Sequence, residues 1–179
     1  MPVFGDLDAD GMVDRDDLEG SNNHSFEDTL YSQNEKFNAA ADVNGDGRVT
    51  NTDLFSLGVE LASEGASQAA FDSYDGVLLR RGDIDQDGIT NGNDVAALHA
   101  SFGGSGWLQD LNEDGMVDSM DVESLITQVV RTEQSDFDLD RDIDGADFLT
   151  WQRGLGVVGE IRYDQGDANL NGVVNENDL

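Results

Sequence analysis

The chain has no cysteine, and its nine lysines and arginines are set against 39 aspartates and glutamates. The first lack removes disulfides and thiolate metal sites, though it says little about compartment. The second removes nucleic-acid binding, which needs a basic footprint. The only doubled base, Arg80-Arg81, reads as counter-charge for nearby acidic loops. No apolar run approaches the roughly 18 residues of a membrane span. The N-terminal MPVFGDLD has neither a basic start nor an apolar core, so no export signal is expected in this stretch. His24 and His99 stand alone, in no spacing that makes a zinc site or a catalytic triad. No glycine-rich phosphate cradle is present either.

What the chain has is acid at fixed intervals. Counting Asp110 as position one, side-chain oxygens fall at positions one, three, five, nine and twelve: Asp110, Asn112, Asp114, Asp118 and Asp121. Glycine falls at six, Gly115, where a loop closing on a cation must bend sharply, and position seven, Met116, offers a backbone carbonyl. A hard cation taking six to eight oxygens at roughly 2.3–2.6 Å needs such a supply. Val117 at eight is expected to point into a core. Val122, Leu125, Ile126, Val129 and Val130 then recur at the spacing of one helical face, so the unit is a loop with an exiting helix.

The pattern occurs six times. The first copy is Asp6, Asp8, Asp10, Asp14 and Asp17, with Gly11 at the bend and Met12 at the carbonyl position. The second is Asp42, Asn44, Asp46, Thr50 and Asp53 around Gly47, with the carbonyl of Arg48. Asp83, Asp85, Asp87, Asn91 and Asp94 surround Gly88 in the third, with the carbonyl of Ile89 and with Thr90 at the usually apolar eighth place. The fifth is Asp136, Asp138, Asp140, Asp144 and Asp147, with the carbonyl of Asp142. The sixth is Asp167, Asn169, Asn171, Asn175 and Asp178 around Gly172, with the carbonyl of Val173. An apolar residue follows position twelve each time: Leu18, Leu54, Val95, Val122, Phe148 and Leu179. Six matches of this kind in one acidic chain are not chance.

Phe, Leu, Ile and Val make up about a quarter of the 179 residues, above the roughly 20% below which a highly charged chain is expected to be disordered. The formal charge is −30, and six divalent ions would bring it to −18. Ion occupancy is therefore expected to decide whether the loops stay compact, and the metal-free form is expected to be loose.

Between the loops, helices are expected where apolar spacing and punctuation agree. Gly20-Ser21-Asn22-Asn23 breaks the first exiting helix. Ser25 caps a connector to about Lys36, with Phe26, Leu30 and Phe37 on its face. Leu54, Leu57 and Leu61 form the second exiting helix, which Gly65 ends. Ser67 to Arg81 is a linker helix with Ala70, Tyr74, Val77, Leu78 and Arg81 in line. Val95, Leu98 and Phe102 follow the third loop, and Gly103 to Gly106 stop that helix. Trp107 reads as a lid on the core. Phe148, Trp151 and Leu155 follow the fifth loop on an apolar stripe, closed by Gly154 and Gly156, whereas the sixth loop has no exiting helix. The fold class is therefore all-α, an array of EF-hand-like loop-helix repeats packed in pairs. Residues 1–65 hold repeats one and two, 66–131 the linker helix with three and four, and 132–179 five and six. Loops one with two, three with four, and five with six are the expected pairs; the spacing from three to five also allows four with five.

The sites are not expected to be equal. Position six needs a positive φ, and the fifth loop has Arg141 there, a cost on the order of 1 kcal/mol that its five carboxylates offset. The sixth loop has two carboxylates and three asparagines, so its pull on a dication is weaker. The first and fourth sites rank strongest on these grounds, and the fifth and sixth have least support.

Loops with aspartate at twelve, followed directly by a helix and lacking an entering one, resemble the F-hand repeats of bacterial type I dockerins. The stretches GDIDQDGITNGNDV, DLNEDGMVDSMDV, DFDLDRDIDGADFLTWQRGLG and GDANLNGVVNENDL carry the likeness, which covers most of residues 1–179. It implies a calcium-dependent, extracellular or cell-surface, non-catalytic module with repeats paired through their exiting helices. A dockerin has two repeats where this chain has six. Positions ten and eleven, where many dockerins carry a Ser-Thr pair for cohesin contact, read Arg15-Asp16, Asn51-Thr52, Gly92-Asn93, Ser119-Met120, Gly145-Ala146 and Glu176-Asn177.

Three functions follow from this reading. The first is a structural calcium array, a stalk, surface or fibre subunit stiffened by up to six Ca2+ ions. Its partner would be itself, head to tail, or a longer parent protein. The second is a docking or adhesion module for a cohesin-like protein, which fits the likeness but not the contact residues. The third, an enzyme, is not expected, because nearly all the paired carboxylates a glycosidase would use are committed as metal ligands. Magnesium is the alternative ion, but loops so rich in carboxylate suit calcium better.

Overall fold

The computed structural model describes residues 6–19, 25–31, 37–159 and 162–179. His24, the breaker Gly20 to Asn23 and the far end of the connector at Lys36 lie outside them. The described residues are mostly helical and contain no strand, only an isolated antiparallel bridge between Val158 and Val173. Among the described residues seven α-helices run in chain order: α1 Arg15–Leu18, α2 Phe26–Tyr31, α3 Asn51–Glu64, α4 Gln68–Gly82, α5 Gly92–Ala100, α6 Ser119–Ser124 and α7 Gly145–Gly154. Five of them, α1, α3, α5, α6 and α7, begin at position ten of a loop. The sixth loop ends in a 3-10 turn, Glu176–Asp178. No helix among the described residues is long and apolar enough to cross a membrane.

The chain divides into two compact units, Met1–Leu78 and Leu79–Leu179. In the first, α3 buries Leu54, Leu57 and Leu61, and α4 buries Ala70, Tyr74, Val77 and Leu78. The helices come close where a glycine lets them: a Cβ on Gly58 would sit 2.7 Å from the Tyr74 hydroxyl, which donates to the Leu54 carbonyl at 3.0 Å. Gly65, in the left-handed region at φ 71°, ends α3 as its spacing predicts. Phe26 and Leu30 are buried on α2, whereas Phe37, beyond that helix, is 45% exposed.

In the second unit the helix after the fourth loop starts as α6 and widens into a π turn over Leu125–Val130. Val122, Leu125, Ile126, Val129 and Val130 are all buried, as their spacing requires, although the geometry is not α throughout. Arg131, left-handed at φ 62°, closes the segment, its N–H bonded to the Ile126 carbonyl. Gly82 lies against this face; a Cβ there would meet Val129 at 2.7 Å and Leu125 at 2.8 Å. Arg81 is fully buried on the linker-helix face, and its guanidinium donates to the carbonyls of Leu108 at 2.6 Å and Trp107 at 2.9 Å. Trp107 itself is 39% exposed and covers that guanidinium, 5.1 Å from its ring centre, so the lid lies over a cation as much as over apolar core.

Two apolar stripes reach less far into the core than their periodicity predicts. α5 ends at Ala100, so Phe102 falls beyond it and stays partly exposed, stacked on His99 at 4.4 Å. On α7, Phe148 is 46% and Leu155 49% exposed, and only Asp147 and Gly154 are fully buried. Trp151 is half-buried and donates its ring N–H to the Asn175 carbonyl at 2.8 Å. Periodicity shows which side chains share a face; whether another element covers that face is a tertiary matter.

Candidate metal centres

Each loop is built by carboxylates that accept hydrogen bonds from its own backbone. At position one of every loop but the fourth, one oxygen takes the N–H of position five and the other that of position six. Asp42 does so to Asp46 at 3.0 Å and Gly47 at 2.9 Å, and Asp83 to Asp87 at 3.0 Å and Gly88 at 2.9 Å. Asp6, Asp136 and Asp167 repeat both bonds. Asp110 accepts from Gly115 at 3.0 Å. The side chains at three and five each accept the N–H two residues on, the local turn that Asp and Asn favour. Asp8 bonds Asp10 at 3.0 Å, and Asp10 bonds Met12 at 2.8 Å. Asn44, Asp85, Asn112, Asp138 and Asn169 do the same at position three.

This wrapping needs two left-handed residues in every loop. Position six has φ of 92°, 88°, 91°, 94° and 80° at Gly11, Gly47, Gly88, Gly115 and Gly172, and 75° at Arg141. The fifth loop thus keeps the same bend and accepts the strain. Position four is left-handed too: Ala9, Gln86, Glu113, Leu139 and Leu170 have φ between 55° and 64°, and Gly45 has 75°. Those residues share no chemistry, so sequence reasoning has no signal for this second bend.

Positions nine and twelve also start the helix. Asp14, Asn91, Asp118, Asp144 and Asn175 are N-caps that accept from the N–H two residues on. Thr50 is the N-cap of α3, and its hydroxyl donates to the Asp53 carboxylate at 3.3 Å. The aspartate at twelve completes a capping box and also reaches back across the loop. Asp121 accepts from Leu111 at 2.6 Å, Asn112 at 3.2 Å and Asp118 at 2.8 Å, and Asp17 and Asp94 repeat all three bonds. Asp53, Asp147 and Asp178 make the same kind of clasp. All six twelfth-position aspartates are buried. In the sequence these aspartates read as ligands, and their second role is carried only by the D/T/N-x-x-D spacing at 14/17, 50/53, 91/94, 118/121, 144/147 and 175/178.

The electrostatics follow from this crowding. Burial pushes the Asp17, Asp94 and Asp121 carboxyls above their ordinary value, and the backbone N–H groups they hold pull partly the other way. Asp138 is raised by burial and then by the charges of Asp140 and Asp147, and Asp142 chiefly by the charge of Asp140. Tyr163 is raised by burial and then by Asp136, Asp147 and Asp138; its hydroxyl donates to the Asp136 carbonyl at 2.7 Å. A bound cation relieves such mutual repulsion.

Three sets of carboxylates bring one oxygen each within 4.8 Å of one another: Asp6, Asp8 and Asp10; Asp83, Asp85 and Asp94; Asp136, Asp138 and Asp147. They belong to loops one, three and five, the three with aspartate at position three. In loops two, four and six that place is filled by Asn44, Asn112 and Asn169, so an amide oxygen stands where the third carboxylate would be. The donors are all hard oxygens without imidazole or thiolate, which suits calcium or magnesium rather than a softer metal. At position seven Met12, Ile89 and Met116 are exposed, leaving the backbone carbonyl as their one useful oxygen.

Position eight couples loop to core unevenly. Val49, Val117 and Val174 are buried, Val13 is half-buried and Ile143 is exposed. Thr90 is half-buried and donates its hydroxyl to the Leu79 carbonyl at 2.5 Å, which is how a polar residue is accommodated there. Val117 exchanges backbone hydrogen bonds with Gly103 at 2.8 Å and Gly104 at 2.9 Å, just after α5. Val174 does the same with Gly156 at 2.9 Å and Val157 at 3.2 Å, just after α7. Compared with protein-family models, with curated proteins and with solved structures, the chain matches none of them.

Proposed function

We propose that the chain is a non-catalytic calcium-binding repeat protein, its six EF-hand-like, dockerin-type loops arranged in pairs and acting as a structural array outside the cell or on its surface. One observation carries this reading: the same doubly bent loop, clasped by its twelfth residue, recurs six times whatever residue fills position four. A fold that needed only acidic turns would have no reason to repeat that strain. The bonds from Val117 to Gly103 and Gly104, and from Val174 to Gly156 and Val157, support pairing three with four and five with six.

The residues that would hold the ions are the side chains at positions one, three, five, nine and twelve with the carbonyl at seven. A bound dication would supply charge neutralisation inside the loop. The chain's own part is to keep the loop wrapped and to start the following helix at the N-cap. Each loop thereby sets the origin of one helix, and the helices bury the Leu, Val and Ile stripes. Removing the ions is expected to loosen neighbouring units together, as coupling in repeat proteins requires. The roles of the carboxylates in the loop leave none assigned to catalysis.

A docking or adhesion module for a cohesin-like partner is the second reading. It is favoured by the apolar residues on and after α7, where Phe148, Leu149, Leu155, Val157 and Val158 are exposed. Light scattering and negative-stain microscopy, with calcium and then with chelator, separate the two. Calcium-dependent end-to-end assemblies are expected for the array. A calcium-folded monomer that never assembles would move the reading to docking.

A further inference from the structure

Three asparagines precede glycine in this chain, Asn44, Asn91 and Asn171, and all three stand at ligand positions. An Asn-Gly peptide can lose ammonia spontaneously. The glycine nitrogen gives up its proton and attacks the asparagine Cγ; a C–N bond forms to the ring, the Cγ–Nδ2 bond breaks and ammonia leaves. Water then opens the cyclic imide at either carbonyl, giving aspartate or isoaspartate. Glycine favours the step because no Cβ obstructs the ring and its backbone turns freely. The fold decides which of the three sites can react.

Asn91 is held on both sides. It is the N-cap of α5, its side chain accepting from Asn93 at 2.7 Å. Gly92 is the first helical residue, and a Cβ there would lie 3.2 Å from the Phe137 carbonyl, so the backbone has little room. At Asn171 the attacking nitrogen is occupied: Gly172 N–H donates to the Asp167 carboxylate at 2.8 Å, which keeps the proton in place beside a negative charge. Gly172 is also crowded, 2.8 Å from the Gly159 carbonyl by the same measure.

At Asn44 the following glycine is neither crowded nor hydrogen-bonded, and what holds Asn44 is its own N–H, donated to Asp53 at 3.0 Å. Asn44 and Gly45 are both exposed, and a Cβ on Gly45 would meet nothing within 4 Å. Among the described residues the Gly45 N–H makes no hydrogen bond. The Asn44 side chain accepts only one, from Asp46 at 2.9 Å. Gly45 also sits at the left-handed position four, the one loop where that place is glycine.

We propose that Asn44 is a spontaneous deamidation site that rewrites the second loop. The aspartate product gives position three the carboxylate that loops one, three and five already have. The isoaspartate product inserts a backbone carbon between positions three and four and disrupts the wrap. Its consequence for metal rests on the calcium reading; the lability of Asn44 does not.

The test is peptide mapping of the full chain during incubation in mildly alkaline buffer, in three conditions: metal-free, with calcium, and in urea. Asn44 is expected to convert at least about ten-fold faster than Asn91 and Asn171 in the metal-free folded protein, with isoaspartate detected by enzymatic methylation. In urea the three are expected to converge. Equal rates in the folded protein, or the same ranking in urea, would overturn the proposal, because the fold would then not be selecting the site. Calcium is expected to slow Asn44 several-fold by engaging its amide oxygen. An unchanged rate with the ranking intact would overturn the calcium site in loop two while leaving the lability of Asn44 supported. Asn44→Asp, made directly, is expected to raise calcium affinity in that loop relative to the unmodified chain.

Discussion

The fourth and fifth repeats share a loop and differ in almost everything that follows it. The fourth bends at Gly115, buries Val117 at position eight and continues into a segment with five buried apolar residues. The fifth bends at Arg141, exposes Ile143 and runs into α7 with Phe148 and Leu155 half out of the core. What holds α7 is different: Gly154 lies directly against the Gln165 carbonyl, and Trp151 bonds Asn175. The loop is therefore a local structure, closed by hydrogen bonds within twelve residues, and survives with or without a well-buried helix behind it. Stability comes from the helix; the candidate metal chemistry comes from the loop.

Truncation should separate the two repeats most. Leu125→Ala removes a fully buried side chain and is expected to cost about 2–5 kcal/mol in denaturant unfolding. Phe148→Ala, at the corresponding face of α7, is expected to cost about 0.5 kcal/mol or less. Comparable losses would show that α7 is covered in solution. Next in size is Asp121→Ala, which strands the N–H groups of Leu111, Asn112 and Asp118 and removes the proposed twelfth-position ligand. A loss of about 2–3 kcal/mol is expected without metal, with a smaller calcium-dependent melting shift on top. An unchanged shift would remove the fourth site from the account.

Acid should act in opposite directions with and without ions. Asp17, Asp94 and Asp121 sit above the ordinary carboxylate value of 3.8, so the folded state holds their protons more tightly than the unfolded chain does. Without metal, that contribution is fully present below the ordinary value and is lost as pH rises through the raised one. Thermal melts of metal-free protein should therefore rise as the pH falls toward the ordinary carboxylate value. Calcium-loaded protein should fall, because protons compete for the same oxygens. A metal-free melt that drops on acidification would contradict the burial argument. Arg141→Gly is expected to gain about 1 kcal/mol from relieving the positive φ, read as a higher unfolding midpoint.

The loops were legible in the sequence because their chemistry is local. A carboxylate at one and a bend at six are visible as letters at fixed intervals. The helices after them were legible as periodicity, and Leu54, Leu57, Leu61, Leu98 and Leu125 are buried as that periodicity predicts. The left-handed residue at position four was not, since Ala9, Gln86 and Leu139 have nothing in common but their place in the wrap. Nor was the exposure of Phe148 or Phe102, which depends on elements distant in sequence. The clasp made by each twelfth residue was present as a capping pattern, overshadowed by the ligand role expected of the same residue.

Calorimetric titration of the metal-free protein with calcium tests the central claim most directly. The account predicts saturable uptake approaching six ions per chain, with loops five and six filling last and the melting temperature rising with occupancy. Weak, unsaturable uptake that alanine at the twelfth positions leaves unchanged would mean that the loops are acidic turns and not metal sites.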